Sequence, residues 1–221
     1  MNFLAHLYLS GDDVDIRLGN FIGDQVKGRY LNRYPDGVQK GIFIHRSIDY
    51  FTDNHQATYE VRLLFRDAYR KYSGVVVDVF FDHFLARYWP TYSPLPLNGF
   101  CRKFYYQMVQ RYKDLPGPIR RYLPFVIQSN RLFSYKSVEG VGRAIEIMST
   151  FTSLPDKTEY ALDILTDNYD FIRDQFVVFF PELIDHVKKE FDVVPSGWTD
   201  GLIKPGAIKL KENEEEDSES P

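Results

Sequence analysis

Apolar residues recur along this chain at the three- and four-residue spacing of an α-helix, not with the alternation of a half-buried strand. In QATYEVRLLFRDAYRKY (56–72) that period places Val61, Leu64, Phe65 and Ala68 on one face and arginines elsewhere. VVVDVFFDHFLARYW (75–89) opens on β-branched residues that favour a strand, but its length favours a helix. YPDG at 34–37, SPLPLNG at 93–99 and LPGP at 115–118 interrupt the pattern as loops. Further helices are expected over about 137–151, 157–174 and 181–191, with Pro181 near the start of the last. Beyond about 192 the pattern fails: VVPSGWTDGLIKPG reads as irregular, and the acidic end as disordered. No internal repeat or interdomain linker interrupts the chain. The expectation is all-α: a single-domain helical bundle over 1–195, then an irregular segment and acidic tail over 196–221.

Composition supports one core. The chain has 221 residues, 44% hydrophobic, with 18 Phe and 16 Tyr against 3 Met, so the core is expected to be rich in rings. Cys101 is the single cysteine, which excludes an internal disulfide and a cysteine zinc cluster and fits a reducing cytoplasm. MNFLAHLYLS lacks the pattern of a signal peptide, and no apolar run approaches the roughly 20 residues that span a bilayer. A cytoplasmic protein without a membrane span is expected. The net charge of -4 is unevenly spread: KENEEEDSESP at the end holds six acids and one lysine, whereas residues 100–143 hold nine Lys/Arg and two acids. Those cations read either as solvated helix faces or as a docking surface for an acidic partner. With no nucleic-acid-binding motif and no overall basic charge, nucleic acid is not the expected partner.

The chemistry lies in polar groups on apolar helices. Residues four apart share a helix face. Asn20 and Asp24 have that spacing in GNFIGDQVKG, His45, Asp49 and Asp53 in IHRSIDYFTD, and Asp78 and Asp82, with His83 adjacent, in VVVDVFFDHF. His6, in the apolar MNFLAHL, is a possible fourth contribution. A buried carboxylate needs a partner, and helical bundles build metal centres from inward carboxylates and imidazoles. Asp and His without thiolate suit Mn²⁺, Mg²⁺ or Fe better than structural zinc. Plainer roles stand beside this one. Asp53 and His55 can cap the helix starting near Gln56; Asp24 can pair with Lys27 or Arg46, and Asp82 with Arg46 or Arg87; His45 and His6 can be satisfied core histidines. His186, in ELIDHVKK, reads as surface, and Cys101 as a buried thiol. The E-x-x-H pair of di-iron bundles, H-E-x-x-H, the P-loop, a Rossmann glycine fingerprint and G-x-S-x-G are absent.

The blocks MNFLAHLYLS, GNFIGDQVKG, GIFIHRSIDYFTDNH and DVFFDHFLARYW, in that order, resemble the bacterial acyl carrier protein phosphodiesterases over most of the first 90 residues. That family is regarded as a divergent relative of the helical HD-type metal phosphohydrolases. This sequence has no His-Asp dipeptide; its block has the reversed order, Asp82-His83, so HD ligand positions do not transfer one by one. The matching blocks contain Asp24, His45, Asp49, Asp53, Asp82 and His83, with His6 and Asn20 as additions. The resemblance implies hydrolysis of holo acyl carrier protein to apo carrier and free 4′-phosphopantetheine, with Mn²⁺, or Mg²⁺ or another divalent ion as substitute. On this reading Asp24, His45, Asp49 and Asp82 hold metal, and His83 or Asp53 orients or deprotonates water. Arg46 clamps a phosphate oxygen unless it pairs with Asp49 or Asp82, and His6 gives the leaving serine its proton. Arg62, Arg66 and Arg70, a stripe four apart, with Arg102 and Lys103, would receive the acidic carrier. The alternatives are a phosphohydrolase of small nucleotides or phosphoesters and a non-catalytic carrier-binding protein.

Overall fold

The structure, a computed structural model, describes residues 3–198. The acidic tail lies outside the described residues. The described chain is all-α: α1 (Phe3–Leu9), α2 (Val14–Ile22), α3 (Asp36–Asn54), α4 (Gln56–Tyr69), α5 (Ser73–Arg87), α6 (Trp89–Tyr92), α7 (Leu97–Gln110), α8 (Gly117–Gln128), α9 (Arg131–Ser134), α10 (Val138–Phe151), α11 (Thr158–Asp167) and α12 (Tyr169–Phe191). No described helix is long and apolar enough to cross a membrane.

Local chemistry sets several boundaries. Asp13 caps α2 by accepting from the amides of Asp15 (2.8 Å) and Ile16 (3.0 Å). Ser137 caps α10 through the Gly140 amide (3.1 Å). His55 Nδ1 caps α4 through the Ala57 amide (3.1 Å), the plainer role weighed for that residue. The expected break before Pro181 is absent: α11 stops at Asp167, and α12 runs unbroken from Tyr169 through Pro181 to Phe191. An interior proline costs about 3 kcal/mol. On either side of it Phe176, Phe179, Phe180, Leu183 and Ile184 are buried, and each such side chain returns about 1.5–3 kcal/mol.

α5 runs through the core, and most of its residues are buried, including Asp82. The Asp82 carboxylate accepts the amides of Leu4 (2.8 Å) and Ala5 (3.1 Å), so it serves the first turn of α1 from another helix. The fully buried Arg17 of α2 joins segments far apart in sequence. It donates to Gln107 of α7 (2.7 Å), to the Gly11 carbonyl and to Ser196 Oγ (2.6 Å).

α2 and α3 cross with their backbones in contact. A Cβ on Gly19 would overlap the Val38 carbonyl oxygen, and one on Gly41 would overlap that of Ile16. Only glycine lets the two backbones touch. That contact brings the end of α2 against the middle of α3, where the polar residues of both lie.

Removing the Asp82 carboxylate strands two buried amide donors. Asp82→Ala is expected to lower stability by about 2–5 kcal/mol, read from urea denaturation; a change below about 0.5 kcal/mol, the size of an ordinary surface substitution, would contradict this role.

Candidate functional site

Four elements meet at one polar cluster. α1 supplies His6. Asn20 sits near the end of α2, and Asp24 follows in a 3₁₀ turn, Gly23–Gln25. His45 and Asp49 stand one turn apart on α3. Gly23 makes room for the His45 ring, which a Cβ at that position would overlap.

A hydrogen-bond chain fixes the orientation of His6. Ser10 Oγ donates to the His6 carbonyl (2.7 Å), and Asn20 Nδ2 donates to Ser10 Oγ (2.9 Å) and to the same carbonyl (2.9 Å). Asn20 Oδ1 is therefore an acceptor, and His6 Nδ1, 2.8 Å away, carries a proton and donates to it. A neutral His6 then presents a lone pair at Nε2, which faces Asp49 Oδ1 at 3.1 Å. Two acceptors at that distance need a proton or a cation between them. Burial, then the nearby His45, pushes the His6 pKa down, which disfavours the proton.

His45 Nε2 lies 3.0 Å from Asp24 Oδ1 and 3.2 Å from Asp49 Oδ2, and its ring stacks on His6 with centroids 4.4 Å apart. Its Nδ1 is buried without a hydrogen-bond partner among the described residues. Burial alone would raise the Asp49 carboxyl; with His6 protonated, the hydrogen bond and charge of its imidazole, with help from His45, hold that carboxyl at about 2. The hydrogen bond with His45 likewise lowers Asp24. Ligand atoms of His6, His45 and Asp49 lie within 4.8 Å of one another. Two imidazoles and the Asp49 carboxylate around one point, with Asp24 beside His45 and the His6 lone pair turned toward Asp49, are a donor set that fits a divalent cation.

A cavity of about 770 Å³ adjoins the cluster. Asp53 and Asp78 line it with the cluster residues; so do Ile119, Arg121 and Tyr122 of α8, Arg131 of α9, and Met148 and Phe151 of α10. The lining thus joins the imidazole–carboxylate cluster to an apolar and cationic wall.

The expected residues divide. His6, Asn20, Asp24, His45 and Asp49 come together. Asp53 lines the cavity and pairs with Arg62 of α4. Asp82 does not reach the cluster, because its carboxylate is taken by the α1 amides, and burial raises its pKa to about 7. Of the two α5 carboxylates spaced four apart, Asp78 lines the cavity instead. His83 is a satisfied core histidine: Nδ1 donates to the Tyr135 carbonyl (2.8 Å), and Nε2 accepts from the Tyr169 hydroxyl (2.9 Å). Arg46 is exposed and donates to the Val26 carbonyl (2.8 Å), not to a carboxylate. His186 is half-buried, bonded to Ser47 (2.8 Å) and stacked on Phe51, where a surface position was expected. Cys101 is buried, its thiol pushed up to about 12 by burial. Arg66 and Arg70 flank a separate surface pocket, Lys103 pairs with Asp12 (3.0 Å), and Arg102 is exposed. None of these lines the cavity. Arg121 and Arg131 do, and no helical spacing in the sequence marked them.

The model of one family, acyl carrier protein phosphodiesterase, matches residues 1–183. A protein of that name from Enterobacter sp. (strain 638) is 31% identical over 191 residues, covering 86% of this chain and 99% of its own. Another, from Klebsiella pneumoniae (strain 342), is 32% identical over 185 residues, covering 83% and 96%. No solved structure matches the chain.

The Asp49 value carries a stability signature. It lies below the ordinary 3.8, so the folded state binds fewer protons than the unfolded state between the two values. The stability it contributes is complete above about pH 4 and is lost as pH falls toward 2. In chelator-treated protein, Asp49→Asn is expected to be less stable than the wild type at pH 5–6, with the gap closing on acidification. Denaturation curves check this, and a gap that persists undiminished at the acid end would refute it.

Proposed function

The chain belongs to the acyl carrier protein phosphodiesterase family, and we propose that it hydrolyses the phosphodiester of holo acyl carrier protein. Water adds to phosphorus, the bond from phosphorus to the carrier's serine oxygen breaks, and that oxygen takes up a proton. The products are apo carrier and 4′-phosphopantetheine. The observation that carries this reading is the convergence of His6, His45, Asp49 and Asp24 beside a cavity large enough for the prosthetic arm.

His6 Nε2, His45 Nε2 and the Asp49 and Asp24 carboxylates would hold a divalent ion, with Mn²⁺ the first candidate. When bound, such an ion lowers the pKa of a water and offsets charge on the phosphoryl oxygens. Asn20 fixes the His6 ring, so the imidazole meets the ion with no cost of reorientation. Asp53, held by Arg62, orients the attacking water. Asp78 takes the acid role earlier considered for His6: burial raises its carboxyl, so it can hold a proton and pass it to the serine oxygen. Arg66, Arg70 and Arg102, away from the chemistry, fit long-range steering of an acidic carrier, an effect that weakens with salt.

Mass spectrometry of holo carrier incubated with the protein and Mn²⁺ tests the reaction. The arm should be lost with the wild type and retained with EDTA, His45→Ala or Asp49→Ala. Intact holo carrier in every sample, with folded protein, would remove the reading.

Metal affinity supplies a separate check. The cluster's carboxylates are held ionised, and burial lowers the His6 pKa, so protons compete with the ion at that imidazole only on the acid side of its ordinary range. Calorimetric Mn²⁺ affinity should be flat at and above neutrality and fall on acidification. Gly23→Ala, which displaces the His45 ring without removing a donor, should weaken binding by about tenfold or more. Unchanged affinity in that variant would count against His45 as a ligand.

A further inference from the structure

Among the described residues no carboxylate pairs with the Arg131 guanidinium, which lies over the Tyr135 ring at 5.7 Å from its centroid. Arg131 is 2% exposed. Its terminal nitrogens donate to the main-chain carbonyls of Arg143 (3.4 Å) and Ala144 (2.8 Å), and its Nε is buried without a hydrogen-bond partner among the described residues. The other deeply buried guanidiniums have carboxylates: Arg17 pairs with Asp12 (3.3 Å), and Arg173 with Asp170 (2.6 Å) and Asp174 (2.8 Å). No such pair forms for Arg131 among the described residues. A guanidinium keeps its proton, so burial without an anion is costly. Nε–H remains to be satisfied.

Arg131 also lines the cavity beside the imidazole–carboxylate cluster, together with Arg121 and Tyr122. Arg121 is exposed, and it too forms no ion pair among the described residues. An anion entering this cavity therefore meets two arginines that no protein carboxylate has claimed. The planar fork of arginine matches tetrahedral oxyanions through paired N–H donors.

We propose that Arg131, with Arg121, forms a phosphoryl-binding subsite in this cavity that holds the non-bridging oxygens of a phosphate ester. Resting on the reading above, that ester is the phosphate of the pantetheine arm. The subsite would place phosphorus beside the cluster while the apolar wall of Ile119, Met148 and Phe151 receives the rest of the arm. The phosphate stays with the arm on cleavage, so the released phosphomonoester keeps the same contacts and acts as a competitive product inhibitor.

The test uses full-length, chelator-treated protein, which takes metal coordination out of the measurement. Inorganic phosphate and 4′-phosphopantetheine are titrated by calorimetry into wild type, Arg131→Gln and Arg121→Ala. Gln retains a donor toward the α10 carbonyls, and Arg121 is exposed, so its removal leaves the core intact. Saturable binding of 4′-phosphopantetheine is expected in the wild type, about tenfold weaker in Arg131→Gln and several-fold weaker in Arg121→Ala. Inorganic phosphate should compete for the same site. No saturable binding in the wild type would overturn the proposal, as would equal affinity in both variants. If Arg131→Gln does not fold, unchanged affinity in Arg121→Ala overturns it. Holo carrier cleavage, followed in parallel with Mn²⁺, separates the two claims. Arginine-dependent binding without cleavage leaves the subsite standing and removes the proposed reaction. Cleavage with binding that ignores both arginines does the reverse.

Discussion

Backbone touches backbone where α2 crosses α3, and the candidate site depends on that contact. Gly19 and Gly41 allow an approach that any side chain would block. Asn20 and Asp24 follow Gly19 by one and five residues; His45 and Asp49 follow Gly41 by four and eight. Each helix thus meets the other through glycine and, within two turns, presents polar groups to a shared point. Gly23 repeats the device at close range by leaving space for the His45 ring. The polar cluster is a consequence of how near two helices can come, and its geometry is as rigid as the crossing that makes it.

Around that crossing the polar groups are ordered by donors and acceptors. Ser10 and the His6 carbonyl set the Asn20 amide, Asn20 sets His6, and His6 faces Asp49, which faces His45, which faces Asp24. The steps as far as His6 join donors to acceptors, and beyond it the single His45 Nε2 is shared between two carboxylates. The sharpest conflict is His6 Nε2 against Asp49, where a neutral imidazole leaves two acceptors opposed. A cation resolves that conflict, which is why the cluster reads as a binding centre and not as a self-contained polar core. Asp82 supports the arrangement from behind, holding the start of the helix that carries His6.

Much of this was legible in the sequence, for reasons that differ by helix. α3 is amphipathic, so the spacing of His45 and Asp49 reported a shared face directly. The same spacing singled out Asn20 and Asp24, although only Asn20 lies on α2 and Asp24 reaches the cluster from the turn that follows it. α5 did not: it is buried nearly all round, so apolar neighbours carry no information about which side faces the cavity. Spacing therefore paired Asp78 with Asp82 but could not show that Asp78 lines the cavity while Asp82 caps α1. His83 was misplaced by the same ambiguity. Pro181 read as a helix start because local propensity cannot weigh the rings packed on both sides of it. Arg131 was invisible because its importance lies in a missing counter-charge, a property of packing and not of order along the chain.

The most direct measurement is the position of manganese by anomalous diffraction from crystals grown with Mn²⁺. The account expects a peak bound by the Nε2 atoms of His6 and His45 and the Asp49 carboxylate, with Asp24 alongside and Asn20 still holding His6 Nδ1. A peak at Asp82 and His83, or crystals of folded protein that take up no manganese at the cluster, would contradict it.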